Sequence, residues 1–508
     1  MRRIPYITFF LILNIALAFT VEIDSTGQRT DGSKLWDIWY TLEGTRDSID
    51  IRVKAITESG EELPCATFIV PSDTGRIAGD GQRHIIWDID TDVPNREFYT
   101  ERIKIQLSAA AAGILPGYCF KGCPLAAGSQ HTVALRFDGS LWAWGMNVYG
   151  QVGDGTFDDR YTPVRVLDSD SIGFLTDIVA VAAGDFHSLA LRDDGTVWAW
   201  GKNDFGQLGN NTMIDSNIPV QVVGPGGAGY LSEIVAIAAD GWHSLALKSN
   251  GTVWTWGRNE YGQLGDNTTF DRTYPLQVQG TGGVGFLMNI AAVEAGRYHS
   301  VAVGTDGSAW AWGRNAMGEL GDNSTIDKHT PVKVLGPGST GYLTDVISIM
   351  GGNFHTVALK SDSTVWAWGW NGHGQLGDNT LTDRHTPVQV HNFIAPGYLT
   401  NIVEIAAGRW HSAALMSDGS VWTWGGNDQG QLGVGDTLDR RRPLPVLSPD
   451  TTGLLSNIIN ISSEYSHTMA LDSNGDVWGW GWNYFYCQLG NGIRENATVP
   501  VKALFPYR

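Results

Sequence analysis

The sequence predicts an all-β protein, a seven-bladed β-propeller preceded by a small Ig- or fibronectin-like β-sandwich. Three observations predict it. A histidine returns at His131, His187, His243, His299, His355, His411 and His467, always 56 residues apart. A Trp-x-Trp pair follows each of them, from Trp142/Trp144 to Trp478/Trp480. A proline closes every unit, at Pro163, Pro219, Pro275, Pro331, Pro387, Pro443 and Pro500. A fixed period of this length marks a repeat architecture, and four short strands per unit, repeated four to eight times, make a propeller.

Within the sixth unit, Ile402 to Ala407 reads as the first strand and Ser412 to Leu415 as the second. Asp418-Gly419 supplies a two-residue hairpin turn into a third strand, Val421 to Gly425, with Trp422 and Trp424 on one face. The fourth is expected to start at the proline, as in Pro387-Val388-Gln389-Val390, because a missing N–H is tolerated at a strand start or an edge. The small Ala-Ala-Gly ends of the first strands suit seven strands converging on one axis. Units begin near Gly117, Gly173, Gly229, Gly285, Gly341, Gly397 and Gly453, and one residue inserted at Tyr484-Phe485-Tyr486-Cys487 lengthens the last step. The propeller is assigned to residues 113–508. Val499 to Leu504 is expected to close the ring by pairing with a strand of the first unit.

Upstream of the repeats, Arg2 and Arg3 precede an apolar run from Ile4 to Ala18 that ends in Ala16-Leu17-Ala18. This pattern is that of a secretory signal peptide, assigned to residues 1–18. The run falls short of the roughly 20 apolar residues a membrane helix needs, and no membrane span is expected. A secreted, periplasmic or cell-surface location follows. Residues 19–112 lack the repeat and alternate in character: Trp36, Ile38, Tyr40 and Leu42 share one face, and Ile49, Ile51, Val53 and Ala55 another. That alternation, with turns between, predicts the sandwich.

Composition narrows function. The chain has 508 residues, 64 Gly, 21 Trp and a formal charge of −19. Nucleic-acid binding usually shows a basic footprint, so no nucleic-acid partner is expected. Four cysteines in so long a chain are not a disulfide scaffold. Cys119 and Cys123 are the candidate disulfide pair, because Cys487 falls in a loop on the opposite face of the disc and disulfides need Cα atoms within about 7 Å.

The units resemble RCC1 repeats in Ala-Ala-Gly-x-x-His-Ser, Asp-Gly-x-Val-Trp-x-Trp-Gly-x-Asn and Gly-Gln-Leu-Gly, and the resemblance is to a secreted, bacterial-type variant. The resemblance covers about three quarters of the chain. It implies the propeller and partner binding through loops at the mouth of the disc. A light-sensing role is not carried over. The plant UV-B receptor of this family has its Trp within the Gly-x-x-His turn, whereas Trp242 and Trp410 lie one place later, against the histidine.

The seven histidines are read as structural, each holding its own turn by hydrogen bonds to backbone, and the Asn after each Trp-Gly as a loop clamp. No catalytic residue, metal site or cofactor is assigned. Loops such as Gly265 to Arg272 hold oxygen ligands without the order of a calcium loop. The candidate partner-binding residues are those that vary on one face: Phe186, Trp242, Tyr298, Phe354 and Trp410 before the histidines, Arg297 and Arg409 beside them, and Trp370 and Trp482 after Trp-Gly. Mixed aromatics and Arg are what binding hot spots are enriched in. The same aromatics could instead pack beneath the loops. The leading expectation is a scaffold or inhibitor for an extracellular or cell-surface protein, not an enzyme. A carbohydrate-binding module is the alternative. A hydrolase or lyase would need clustered carboxylates at the mouth, and no such cluster is visible from position.

Overall fold

The computed structural model describes residues 124–393 and 397–506, together with the strand segments of residues 20–28, 35–43, 48–57, 62–63, 75–78, 81–88 and 103–111. The chain divides into two units, Met1–Leu115 and Pro116–Arg508.

In the first unit, β1 (Thr20–Gln28), β2 (Leu35–Glu43) and β6 (Gly81–Asp88) form one antiparallel sheet. The second sheet is built on β3 (Ser48–Thr57), which pairs with β4 (Glu62–Leu63), β5 (Gly75–Ala78) and β7 (Ile103–Ala111). The signal segment and the Cys119–Cys123 pair lie outside the described residues.

The second unit is the propeller: seven four-stranded antiparallel sheets, each made of four consecutive strands of one repeat. In blade six these are Ile402–Ala407, His411–Met416, Val421–Gly425 and Arg440–Pro445. The first and third match the expected strands. The outermost begins three residues before its proline, as in Arg384–Gln389 around Pro387. Pro387 falls in a bulge between the pairs Ala367–Val388 and Gly369–Arg384. A residue without an N–H is tolerated there because the strand is an edge with one neighbour.

The two tryptophans of each pair differ in role. The first is half-buried in most blades, whereas Trp144, Trp200, Trp256, Trp312, Trp368, Trp424 and Trp480 are fully buried. Trp256 of blade three packs with Leu189, Leu191, Val197 and Leu208 of blade two, so this ring fills the gap between blades. Its Nε1 donates to the Gln207 carbonyl at 2.9 Å. Gly209 leaves room for the ring, since a Cβ there would stand 2.7 Å from Trp256 Nε1. The Gly-Gln-Leu-Gly motif is thus the socket for the next blade's tryptophan.

Ring closure differs from the expectation. Ala497–Lys502, the last strand, pairs with Val477–Gly481 of its own blade. Blades seven and one join by the same tryptophan plug as the other blades. Trp144 Nε1 and Thr132 Oγ1 each donate to the Gln488 carbonyl at 2.8 Å, and Phe505 packs edge-on against Trp142 and Trp144. A strand exchange is unnecessary because every repeat already supplies four strands in sequence.

Candidate functional site

The first and second strands of each blade meet at a turn that ends in the repeated histidine. All seven histidines are fully buried, and six of them bind across blades, not to their own turn, whereas His467 at the closing joint has neither ring nitrogen bonded. His131 Nε2 meets Ser188 Oγ of blade two at 2.9 Å, and the pattern continues through His187–Ser244, His243–Ser300, His299–Thr356, His355–Ser412 and His411–Thr468. Each hydroxyl in turn donates to a carbonyl, as Ser188 does to Gln151 at 2.9 Å. A hydroxyl has one proton to give, so the histidine must donate from Nε2, which fixes the neutral tautomer. The seven Nδ1 atoms have no partner. Burial pushes all seven rings down to about 3. The repeated Asn is a loop clamp: Asn147 takes the N–H of Val152 and gives Nδ2 to Thr156.

The strand ends converge on the axis. Residues of all seven blades, among them Ala127, Ala183, Ala239, Ala295, Gly351, Ala407 and Ser463, line one axial cavity of about 80 Å³. At the mouth of this cavity the repeat is broken. The residue that closes the innermost strand is glycine in five blades, and a Cβ on Gly128, Gly184, Gly296, Gly352 or Gly408 would stand 2.3–2.4 Å from the histidine ring. Blades three and seven have Asp240 and Glu464 there. Their inner strands run one residue longer, Ile234–Asp240 and Ile458–Glu464. They turn through Gly241 at φ +51° and Tyr465 at φ +44°, a conformation few non-glycine residues adopt.

The structure therefore corrects the sequence reading of the mouth: a carboxylate cluster is present. One oxygen of each of Asp185, Asp240 and Glu464 lies within 4.8 Å of the other two, and all three side chains are buried. Arg297 Nη2 pairs with Asp185 Oδ2 at 2.8 Å, and Ser129 Oγ donates to the other oxygen of Asp185. Burial and the Asp185 charge push Asp240 up to about 8. Burial, with Asp240 and Asp185 beside it, pushes Glu464 well above the usual range. Close buried carboxyls do not readily ionise together. Asp185 and the glycine position were both readable in the sequence; their convergence from blades two, three and seven was not.

The nine variable residues all lie at this mouth and are half-buried. Trp242, Tyr298, Phe354, Trp370 and Trp410 form an unbroken arc, with successive ring centroids 5.8–6.2 Å apart. Phe186 stands apart against Tyr149, and Trp482 packs on Tyr465. Arg297 lies over Trp242, Tyr298 and Tyr465, and Arg409 over Trp410 at 3.9 Å and Tyr465 at 4.6 Å. The aromatics pack on one another and still reach the surface. Arg258 and Arg314 are paired with Glu260 and Glu319. Arg409 has no carboxylate partner among the described residues; its Nη1 donates to the Tyr465 hydroxyl. Sequence reasoning missed Tyr149, Phe205, Tyr261 and His373. Their signal is an aromatic ring two places after the repeated Asn. The loop from Gly265 is closed on itself, with Asp266 held by Arg272, Asn259 and Thr268. Cys487 is buried and free, and burial pushes its thiol up to about 11.

Comparison with known proteins follows the same lines. The profile of the RCC1-like domain matches residues 114–399, and RCC1 repeats match residues 402–431, 418–471 and 458–487. The chain belongs to the RCC1-repeat family. It is 33% identical over 379 residues to the ultraviolet-B receptor UVR8 of Arabidopsis thaliana, covering 74% of this chain and 80% of the receptor. It is 31% identical over 319 residues to the mouse E3 ubiquitin-protein ligase HERC2, of which that match spans 6%. Among solved structures it is similar to yeast RCC1 (Prp20) bound to Kap60, with a TM-score of 0.58 and 22% identity over 72% of this chain and 84% of that one. Human WBSCR16 is alike in fold, with a TM-score of 0.59 and 22% identity over 72% of this chain and 94% of that one. Among the described residues no helix is long and apolar enough to cross a membrane.

Proposed function

We propose that this RCC1-repeat protein is a protein-binding regulatory scaffold that works outside the cytoplasm and docks its partner on the mouth face. The arc of half-buried rings with Arg409 laid over it is the observation that carries this reading. Aromatic and Arg side chains concentrate at interface centres, and Arg409 offers a guanidinium that no carboxylate of the described residues has claimed. The partner it suits is a protein surface with an acidic group beside an apolar patch. Proteins of similar fold bind other proteins: yeast Prp20 is seen bound to Kap60, and Prp20p is described by its binding to Gsp1p and histones. The extracellular setting draws on Arg2, Arg3 and the apolar run to Ala18. An enzymatic reading regains its carboxylates but not access, because Asp185, Asp240 and Glu464 are all buried.

Arg409→Glu and Trp410→Ala are expected to weaken partner capture from the extracellular fraction by about 2 kcal/mol or more each, roughly thirtyfold, with the melting temperature little changed. Arg297→Glu is a poorer test, since it would strip Asp185 of its counter-charge. If both variants capture the same proteins as the parent, or if glycans alone are retained, the docking face is wrong.

A further inference from the structure

Two of seven blades give up the glycine that the histidine ring requires, and both place a carboxylate on the axis. Asp240 and Glu464 meet Asp185 there, one oxygen of each within 4.8 Å of the others. Ionised together, the three would leave two negative charges against the Arg297 guanidinium, a state that burial resists unless a cation joins them. The donors available to these carboxylates are few. Asp185 is held by Ser129 and Arg297, and Asp240 accepts the Gly241 N–H. Glu464 meets the Asp240 carboxyl and the Tyr465 N–H, but it is 4% exposed, lies on the wall of the axial cavity, and keeps Oε1 with no hydrogen-bond partner. A buried carboxylate oxygen without a donor is costly, and a cation satisfies it.

We propose that Asp185, Asp240 and Glu464 bind a divalent, oxygen-preferring cation of the calcium type at the mouth of the axial cavity, joining blades two, three and seven. An all-carboxylate set favours calcium, magnesium or manganese over zinc or copper. The remaining coordination positions fall to water. The cavity of about 80 Å³ is large enough, since one water needs about 10–15 Å³ on the same measure. The ion would sit among the rings and guanidinium groups of the mouth and tie blade seven to blades two and three across the ring-closing joint. The site stands independently of the docking reading.

The test is calorimetric titration of calcium chloride into the full chain after removal of metal with a chelator. We expect one ion per chain with a Kd of about 10⁻³ M or tighter and a higher melting temperature in calcium. Glu464→Gln and Asp240→Asn keep the shape of the side chain and remove its charge. Each is expected to weaken binding about tenfold or more, since losing even an outer partner costs that much at metal sites. Near-ultraviolet circular dichroism checks that each variant folds, and either one suffices if the other does not. No saturable binding by the parent chain, or equal affinity in the folded variants, overturns the site.

Discussion

Acidification below about pH 6 is expected to unfold the propeller steeply, because seven buried histidines must each take up a proton. Each ring is neutral, donates from Nε2 into the next blade or lies buried at the closing joint, and has an Nδ1 with no hydrogen-bond partner. Burial holds each near 3, whereas an unfolded histidine titrates near 6.5. Between those values the unfolded chain binds more protons, so stability rises with pH and is lost as pH falls. One group contributes about 1.4 kcal/mol per pH unit, and seven approach 10 kcal/mol per unit. A domain's whole stability is about 5–15 kcal/mol. Asp240, Glu294 and Glu404, each pushed up to about 8 by burial, and Glu464 run the other way. They cost stability as pH rises from about 4 towards 8, but they are fewer than the histidines. The melting temperature, measured in chelator, should therefore peak near neutral pH and fall sharply below 6. His299→Gln should reduce the protons taken up on unfolding by one. A melting temperature flat down to pH 4 would refute the neutral belt.

Trp256→Ala is expected to cost about 3–5 kcal/mol, and the loss should appear as a separation of blades two and three. The ring can bury about 150–250 Å², and its neighbours belong mainly to blade two. Phenylalanine keeps most of the packing and removes the bond to the Gln207 carbonyl. Trp480 is the internal control, because its buried Nε1 has no partner. Trp256→Phe should thus be worse than Trp480→Phe by about 1 kcal/mol. Urea midpoints of the two variants decide it. Equal midpoints would mean that the indole N–H contributes nothing at the joint.

The propeller was legible because its elements are local. The Asp-Gly turn, the paired Trp and the period each act within a few residues, so strand limits such as Ile402–Ala407 and Val421–Gly425 fall where the pattern places them. What joins blades was not legible. A histidine and the hydroxyl 57 residues later give no periodic sign that they touch. The closing joint looked as if it needed a shared strand, because a ring with free ends invites one. Side-chain plugging does the work instead. The nine mouth residues could be placed on one face from strand alternation, but which of them touch depends on how far each reaches toward the axis. Asp240 and Glu464 look like ordinary variation in a list of repeats. Only the crowding of five glycines against five histidine rings shows how unusual a side chain is at that position.

Each blade is one uninterrupted stretch of chain, and the joint between blades seven and one uses the same tryptophan plug as the others, without the histidine bond. The ends of the polypeptide hold no structural privilege in such a ring. Any inter-blade connection could serve as the point where the chain starts and stops, as in a circular permutant. Gain or loss of a whole repeat would disturb curvature before it disturbed any single sheet. Modularity of this kind frees the mouth loops to diverge blade by blade, because a change in one loop is felt by two neighbours and not by the whole ring.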